Sequence, residues 1–328
     1  MINSTISQNI MDGFGTKYGV FLLKTMFQEP SSARFLAFCT FLLIYIIAFV
    51  GNFMLIVLIE KQLHKPVYIF LANLAATDLM GTSAALPRVM YNIIVENTIS
   101  FPACFTQVLF VHSYIAMESF ILSTMSVDRY IAVCHPLRYN VLITNKRANI
   151  VNVAVIMISY FLSLVQFILL LRLHFTCKPN ILPNAVCIHF AVANLACEDV
   201  MINNLYGSMF VVLMFGTLTV VALFTYSFIL RECLCVGRHS EKSKKALQTC
   251  LTHFMVLCFF LVSVLFIAIS LRTASSKHIS PFVRVLLDSV SYVLPPISNP
   301  IIYGLRIIRA HKMFPKCLFF KPCVYQCI

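Results

Sequence analysis

Ionisable side chains stand inside long apolar stretches of this chain, where a charge is costly to hold. Asp128 and Arg129 are adjacent near the end of one such stretch, and Asp78 and Glu118 lie well inside two of them. Ionisable groups in a membrane segment are functional by default. An adjacent acid and arginine can form an ion pair that a change of shape opens. Two carboxyl groups that meet can share a proton or hold a cation.

Amides accompany the two carboxyl groups. Asn52 and Asn299 lie in two further apolar segments, and Ser123 follows Glu118 in the same segment. Carboxyl and amide oxygens are hard ligands that suit a sodium ion. The sequence therefore predicts a mid-membrane site of Asn52, Asp78, Glu118 and Asn299, with Ser123 as a further candidate member. Sodium and a shared proton are both left open, and the structural alternative is a neutral hydrogen-bonded network with one protonated acid.

A histidine and an arginine predict a different kind of site. His112 lies about 12 Å along a helix from Cys104, which begins the third apolar segment, and Arg272 stands at the end of the sixth. An imidazole and a guanidinium that converge suit a carboxylate or another anion. The structural alternatives are a core histidine and an arginine that snorkels at a helix end. Aromatic side chains expected to add apolar contacts are Phe110, Tyr114, Phe210 and Phe266.

No enzymatic arrangement accompanies these residues. The sequence contains no phosphate-binding Walker loop, no Cys/His spacing typical of a metal site and no dinucleotide-binding glycine motif. We therefore predict a protein that is not an enzyme. No cofactor is expected other than the sodium ion considered above.

The composition places these residues in a membrane protein. Of the 328 residues, 60% are hydrophobic and 11% charged, and the mean hydropathy is +0.87; soluble proteins carry about 25% charged residues. A spanning helix needs about 20 apolar residues. The predicted fold is an all-α bundle of seven transmembrane helices, whose second, third and seventh members face the interior with their polar residues. The qualifying stretches are about 35–59, 67–93, 104–133, 148–171, 205–230, 246–271 and 283–303.

Positive charge predicts the orientation of this bundle. Of the 25 Lys and Arg residues, 16 fall in the loops and tail of one side, which the positive-inside rule assigns to the cytosol. The tail 1–34 is then extracellular, the bundle occupies 35–303, and 304–328 is cytoplasmic. The net charge of +13 belongs mostly to a surface beside the inner leaflet of the lipid bilayer. No nucleic-acid partner is expected.

Both tails carry candidate modification sites. Asn3 begins an Asn-Ser-Thr glycosylation acceptor in the extracellular tail. A short basic amphipathic helix is expected on the inner membrane surface after the seventh segment. Beyond it, Cys317, Cys323 and Cys327 are candidates for palmitoylation, with free cytosolic thiols as the alternative.

Three motifs resemble those of one receptor family. Met125–Tyr139 reads Met-Ser-Val-Asp-Arg-Tyr-Ile-Ala-Val-Cys-His-Pro-Leu-Arg-Tyr, and residues 245–250 read Lys-Ala-Leu-Gln-Thr-Cys. The seventh segment contains Asn299-Pro-Ile-Ile-Tyr303. In this order the motifs are similar to those of odorant receptors, a branch of the rhodopsin-like G-protein-coupled receptors. Segments such as Leu171-Arg-Leu-His-Phe resemble the fish-type (class I) group.

The resemblance implies pairings and roles that the residues alone leave open. Four cysteines on the outer side allow three disulfide connectivities; the resemblance implies Cys104–Cys187 and Cys177–Cys197. It further implies a switch that faces a G protein at the inner end of the bundle. The residues of that switch are Asp128, Arg129, Tyr226 and Tyr303.

The resemblance also implies a function. It predicts a receptor in the plasma membrane of olfactory sensory neurons that binds a small odorant in the outer half of the bundle. The receptor would activate a stimulatory, olfactory-type G protein and raise cyclic AMP. One alternative is a non-olfactory rhodopsin-like receptor for a lipid, peptide or hormone. A transporter is a second alternative, and it is disfavoured because the sequence shows no internal repeat.

Overall fold

Helices form most of the part of the chain that the structure describes. The computed structural model describes residues 19–23, 29–60, 65–235, 241–273 and 281–304, without the side chains of 234–247, 249, 267–273 and 281. Several predictions fall outside these limits. They concern Asn3, the Arg272 side chain, the amphipathic helix after the seventh segment, and the three cysteines near the end of the chain.

Six long helices and one bent pair follow the predicted apolar segments. Each begins or ends a few residues beyond its predicted segment, because apolar content marks the membrane-embedded part and the helix extends past it. The helices are α1 (Ser31–Glu60), α2 (Pro66–Ile94), α3 (Phe101–Cys134), α4 (Asn145–Leu171), α5 (Met201–Cys235), α6 (Glu241–Thr273), α7 (Pro281–Ser289) and α8 (Leu294–Gly304).

Local signals explain several helix ends. Pro66 and Pro102 lie in the first turns of α2 and α3, where a missing N–H costs nothing. Thr144 caps α4 by accepting a hydrogen bond from the Arg147 backbone N at 3.3 Å. At the other end of α3, the helix stops at Cys134, two residues before Pro136, because a proline supplies no N–H to continue the helix.

Five of these helices are long and apolar enough to cross a membrane, or six if the bent pair counts as one span. The apolar part of α6 is shorter and covers Cys250–Phe266. The prediction of a helical, multi-pass membrane bundle is therefore confirmed, while the count of seven spans and the orientation stay predictions. Below, the end that carries Cys104 is called the outer end and the end that carries Arg129 the inner end.

The predicted seventh segment is two helices joined at a bend. The portions Phe282–Tyr292 and Leu294–Gly304 meet at 45°. Pro295 and Pro296 follow the bend directly, and prolines supply no N–H to a continuous helix. The Asn52 amide of α1 donates to the Pro296 carbonyl at 2.7 Å and so ties the start of α8 to α1.

A small sheet at the outer end corrects the all-α prediction. β1 (Val20–Leu23) pairs antiparallel with β2 (Thr98–Ser100) and parallel with β3 (Ile181–Leu182). Strands of two to four residues show no period-two pattern that a sequence could reveal. They form because loops distant in sequence meet above the bundle. The sheet covers the outer end of α3, where Phe21 packs on Phe101 and Phe105.

The interior of the bundle is built on α2 and α3. These two helices are mostly buried, whereas α1, α4 and α5 expose large apolar side chains along most of their length. Polar residues of α2 and α3 such as Asp78 and Glu118 are fully buried. This confirms that α2 and α3 turn their polar positions inward, because an outward position would leave those groups in lipid.

Candidate functional site

An ion pair lies at the inner end of α3. The guanidinium of Arg129 contacts the Asp128 carboxylate, with Nη2 2.9 Å from Oδ2. Tyr139, in the short helix Tyr139–Leu142 after the turn at Pro136, donates its hydroxyl to Asp128 Oδ1 at 2.9 Å. Burial and the nearby Asp128 charge raise the pKa of Tyr139, so its hydroxyl stays a donor. Tyr139 was not predicted to have a role, although it lies at the end of the Met125–Tyr139 motif.

The two tyrosines predicted for this switch belong to one apolar cluster near the inner end. The Tyr226 hydroxyl on α5 is hydrogen-bonded to His253 Nδ1 on α6 at 2.7 Å and donates to the Cys250 carbonyl at 3.3 Å. The rings of Tyr226 and His253 are nearly parallel. Tyr303 on α8 is 5% exposed and packs in the apolar core near the inner end. In this arrangement Arg129 is held by Asp128, and Tyr226 links α5 to α6.

A buried amide joins the two carboxyl groups at mid-membrane. Asn299 Nδ2 on α8 donates to Asp78 Oδ2 at 2.8 Å and to Glu118 Oε1 at 3.3 Å. All three side chains have no exposed surface. Three helices are thereby connected at one point, so the predicted meeting of these three residues is found in the structure.

The other predicted members of this polar site turn elsewhere. Asn52 Nδ2 donates to the backbone carbonyls of Ala48 and Pro296. Ser123 donates to the Ser119 carbonyl at 2.7 Å, within its own helix. Neither side chain donates to the Asp78 or Glu118 carboxyl group. A helix's rotation about its axis decides such contacts, and apolar content does not determine that rotation.

The outer candidate site contains His112 and Phe210. His112 on α3 is 7% exposed, and its Nδ1 lies 2.8 Å from the Val108 carbonyl. The Phe210 ring on α5 lies 5.7 Å from the His112 ring. A second histidine, His189, lies on the other side with its ring 6.5 Å away. His189 was not among the predicted site residues.

The other predicted aromatic residues do not gather at His112. Tyr114 is fully buried, donates its hydroxyl to the Ser291 carbonyl at 2.9 Å and packs against Gly81 of α2. Phe110 is 37% exposed, whereas His112 is buried, and Phe266 is half-buried on α6. Phe110 and Tyr114 therefore lie on other sides of α3 than His112, and their contact with a ligand stays a prediction. At 100° per residue, neighbours two positions apart on a helix face different sides.

The segment between α4 and α5 covers this site. Disulfides join Cys104 to Cys187 and Cys177 to Cys197, the pairing that the resemblance implies. The Cys187 N–H also donates to Gln107 Oε1 at 3.0 Å.

A buried carboxylate fixes the same segment from another helix. Asp288 on α7 accepts hydrogen bonds from Asn184 Nδ2 at 2.9 Å and from the Ala185 N–H at 2.7 Å. Asp288 is 2% exposed and was not singled out from the sequence. The sequence around Asp288 contains no pattern that would predict its contact with Asn184 and Ala185. The segment is thus attached to the bundle at α3 and at α7.

Comparison with known proteins agrees with this architecture. A family model described as olfactory receptor matches residues 41–321. Human olfactory receptor 51L1 is 35% identical over 269 residues, which cover 81% of this chain and 84% of that protein. Human olfactory receptor 51E2 is 36% identical over 266 residues, covering 80% of this chain and 82% of that protein.

A third relative, human olfactory receptor 51I1, is 35% identical over 275 residues, with 83% of this chain and 86% of that protein covered. The residues matched by the family model include the inner ion pair, the mid-membrane carboxyl groups and both outer histidines. The chain therefore belongs to the olfactory receptor family of rhodopsin-like (class A) G-protein-coupled receptors, which are signalling receptors and not enzymes.

Proposed function

We propose that this receptor binds a small odorant beside His112 and transmits binding through α3 to a stimulatory, olfactory-type G protein, which raises cyclic AMP. The observation that carries the proposal is that one helix bears both sites. His112 lies under the disulfide-anchored segment at one end of α3, and the Asp128–Arg129 pair lies near the other. The two sites are about 25 Å apart along the helix.

Activation then requires that the contacts between the helices and the loop at the inner end be broken. The Asp128 carboxylate pairs with Arg129 and accepts from Tyr139, while Tyr226 and His253 tie α5 to α6. An odorant can shift the population toward a state with α6 displaced only as far as it binds that state more tightly. In that state Arg129 is free to contact the G protein. Its guanidinium offers five donors, which suit backbone carbonyls at the partner's surface.

Arg129→Ala is expected to abolish the odorant-dependent rise in cyclic AMP, because it removes the group that the proposed displacement exposes. The measurement is cyclic AMP in cells that express the receptor, challenged with straight-chain alcohols, aldehydes, amines and carboxylates. Surface level is measured in parallel by biotinylation. Arg138→Ala is the matched control, since Arg138 is exposed at the same end of α3. A wild-type dose response retained by Arg129→Ala would contradict the switch.

The sequence favours a carboxylate as one ligand class. His112 is in the buried outer site, and Arg272 belongs to α6, which ends at Thr273. A carboxylate ligand predicts that Arg272→Ala raises its half-maximal concentration by about 10-fold or more, the loss of one charge-assisted hydrogen bond. An unchanged dose response to acids would remove this candidate.

We further propose that the polar site at mid-membrane holds a sodium ion, with a shared proton as the alternative. Asp78 Oδ1, Glu118 Oε2 and Asn299 Oδ1 are buried, and as ionised or amide oxygens they receive no N–H or O–H donor from the described residues. Three such oxygens from three helices fit a hard cation, which would also balance the two carboxylates. Asn52, which binds backbone carbonyls through its amide nitrogen, could contribute its Oδ1 from α1.

Sodium binding predicts a salt-specific gain in stability. Purified receptor is expected to be about 1.4 kcal/mol more stable in sodium chloride at ten times the dissociation constant than in choline chloride. The measurement is thermal unfolding at equal ionic strength. Asp78→Asn should remove the difference, because it removes one of the two carboxylates. Equal unfolding temperatures of the wild type in both salts would favour the shared proton.

We also propose expression in olfactory sensory neurons, which membership of the olfactory receptor family supports. A non-olfactory receptor for a lipid, peptide or hormone is the alternative. Transcript levels in olfactory epithelium against other tissues distinguish the two.

A further inference from the structure

A second histidine completes the outer site. His189 begins the short helix His189–Ala193, two residues after Cys187, whose disulfide to Cys104 holds it against α3. His189 is 2% exposed, and its ring stands at 78° to the ring of His112, with the centroids 6.5 Å apart. Helix α3 and the short helix His189–Ala193 therefore each contribute a buried imidazole to the outer site.

Neighbouring donors determine which nitrogen of His189 carries the proton. Arg172 donates to Asn203 Oδ1 at 2.8 Å, and because arginine has only donors this assigns the amide oxygen of Asn203. The amide nitrogen of Asn203 then donates to the Leu169 carbonyl at 3.1 Å and faces His189 Nε2 at 3.4 Å. His189 Nε2 is therefore an acceptor, and its proton is on Nδ1.

His189 is also neutral at extracellular pH. Burial, with a smaller contribution from His112, lowers the pKa of His189 to about 3. A neutral ring has one donor and one acceptor, so the assignment of Nε2 leaves a single N–H at Nδ1. That Nδ1 is buried and has no hydrogen-bond partner among the described residues.

His112 offers the opposite group. Its Nδ1 lies 2.8 Å from the Val108 carbonyl, which can only accept, so Nδ1 carries the proton of the neutral ring. The lone pair of Nε2 is then available. Within the described residues the hydrogen bond of His112 is the one through Nδ1. The pair thus presents one free donor, on His189, and one free acceptor, on His112.

Both imidazole rings lie beside the same face of α5, which carries Gly207 and Phe210. A Cβ placed on Gly207 would stand 3.4 Å from His189 Nδ1, and Phe210, one turn later, is 5.7 Å from His112. Gly207 has no side chain to cover the N–H. A hydroxyl oxygen forms hydrogen bonds of about 2.8 Å, and two such bonds in succession span a distance comparable to the 6.5 Å between the two ring centroids.

We propose that His189 and His112 together bind a hydroxyl group of the ligand, with His189 Nδ1 donating to its oxygen and His112 Nε2 accepting its proton. This inference rests on the proposed function and deepens it, because it names neutral alcohols as the ligand class and His189 as a determinant of specificity. A carboxylate satisfies the donor but meets the lone pair of His112, and an ether lacks the proton. Phe210 and Gly207 then contact the alkyl chain beside the hydroxyl.

The test compares chain-matched ligands on full-length receptor in cells. Straight-chain primary alcohols of four to ten carbons, their methyl ethers and the corresponding carboxylates serve as probes, with cyclic AMP and surface biotinylation as readouts. Alcohols are expected to activate at concentrations about 10-fold lower than the ethers, the difference that one hydrogen bond makes. His189→Phe keeps a ring and loses the donor, so it should raise the half-maximal concentration for alcohols and for ethers by about 10-fold each, because both oxygens accept from His189 Nδ1.

Two further variants separate recognition from folding. His189→Asn places an amide near the position of Nδ1 and should restore the alcohol response to within about 3-fold of wild type. Gly207→Ala should weaken the alcohol response at a normal surface level, because its methyl group covers the donor. His174→Asn is the control, since His174 is an exposed histidine of the same segment that pairs with Glu198.

Each outcome decides between the proposals. Ethers as potent as alcohols, or a His189→Phe receptor with unchanged alcohol responses, would overturn the hydroxyl assignment while leaving an odorant receptor. Carboxylates that activate best and ignore His189→Phe would favour the anion candidate instead. A wild-type receptor present at the surface and silent to all three classes would reject the alcohol assignment for these probes. Silence to every class of the broader panel described above would contradict the proposed function itself.

Discussion

Gly81→Ala is expected to prevent the receptor from reaching the cell surface. A Cβ at Gly81 would overlap the ring of Tyr114 on α3, with Cδ2, Cγ and Cε2 as the nearest atoms. The ring cannot swing aside freely, because Tyr114 is fully buried, donates to the Ser291 carbonyl and lies 6.0 Å from the ring of Tyr292. Overpacking of this kind costs about 3 kcal/mol. Surface biotinylation and thermal unfolding of the detergent-solubilised receptor measure the effect.

A matched control and a rescue variant test whether the effect of Gly81→Ala comes from the overlap with Tyr114. Gly216→Ala adds the same methyl group to α5, where nothing lies within 4 Å of it, and should leave the surface level unchanged. In the Gly81→Ala background, Tyr114→Leu removes the ring that the methyl group meets and should restore part of the surface level. If Gly81→Ala behaved like Gly216→Ala, the close approach of α2 and α3 at this level would be refuted.

Cys104→Ser is expected to lower stability more than Cys177→Ser. The Cys104–Cys187 bond closes a separation of 83 residues and Cys177–Cys197 one of 20. Loop-closure entropy then predicts losses of about 4.5 and about 3.3 kcal/mol. The first bond also places His189 beside His112, so Cys104→Ser should abolish odorant responses in receptor that still reaches the surface. Thermal unfolding and cyclic AMP measure the two consequences.

The pairing itself is tested by combining substitutions. A Cys104→Ser/Cys187→Ser double variant should be no less stable than either single variant, because all three lack the same bond. Cys39→Ser is the control, since Cys39 is an exposed free cysteine on α1. Additive losses in the double variant would mean that the two cysteines are not bonded to each other.

The features visible in the sequence are those that depend on local chemistry. Long apolar segments predict helices because a backbone in lipid must satisfy its hydrogen bonds internally. The end of α3 near Pro136 follows from the missing proline N–H. The sequence also marks Asp78, Glu118, Asn299, Asp128 and Arg129 as important, since ionisable or amide groups at such places need partners.

Contacts between distant segments depended on the tertiary structure. The sequence grouped Asn52 with Asp78, yet the rotation of α1 directs its amide to Pro296 of α8. The resemblance assigned Tyr226 to the switch, and its hydroxyl meets His253 because α5 and α6 pack together at that level. Helix rotation of this kind follows from the packing of all neighbours at once, and the period of one segment does not encode it.

His112 shows most clearly which properties follow from the sequence and which follow from the tertiary structure. Its residue type and its depth, about 12 Å from Cys104 along α3, follow from sequence and helix rise alone. That it faces His189 with complementary hydrogen-bonding groups follows from a disulfide, the path of a long loop and the Arg172–Asn203 contact. The sequence by itself determined the family, the helices and the residues that must be partnered. Only the tertiary structure decided the partners, because a side chain's partner is set by elements far away in the chain.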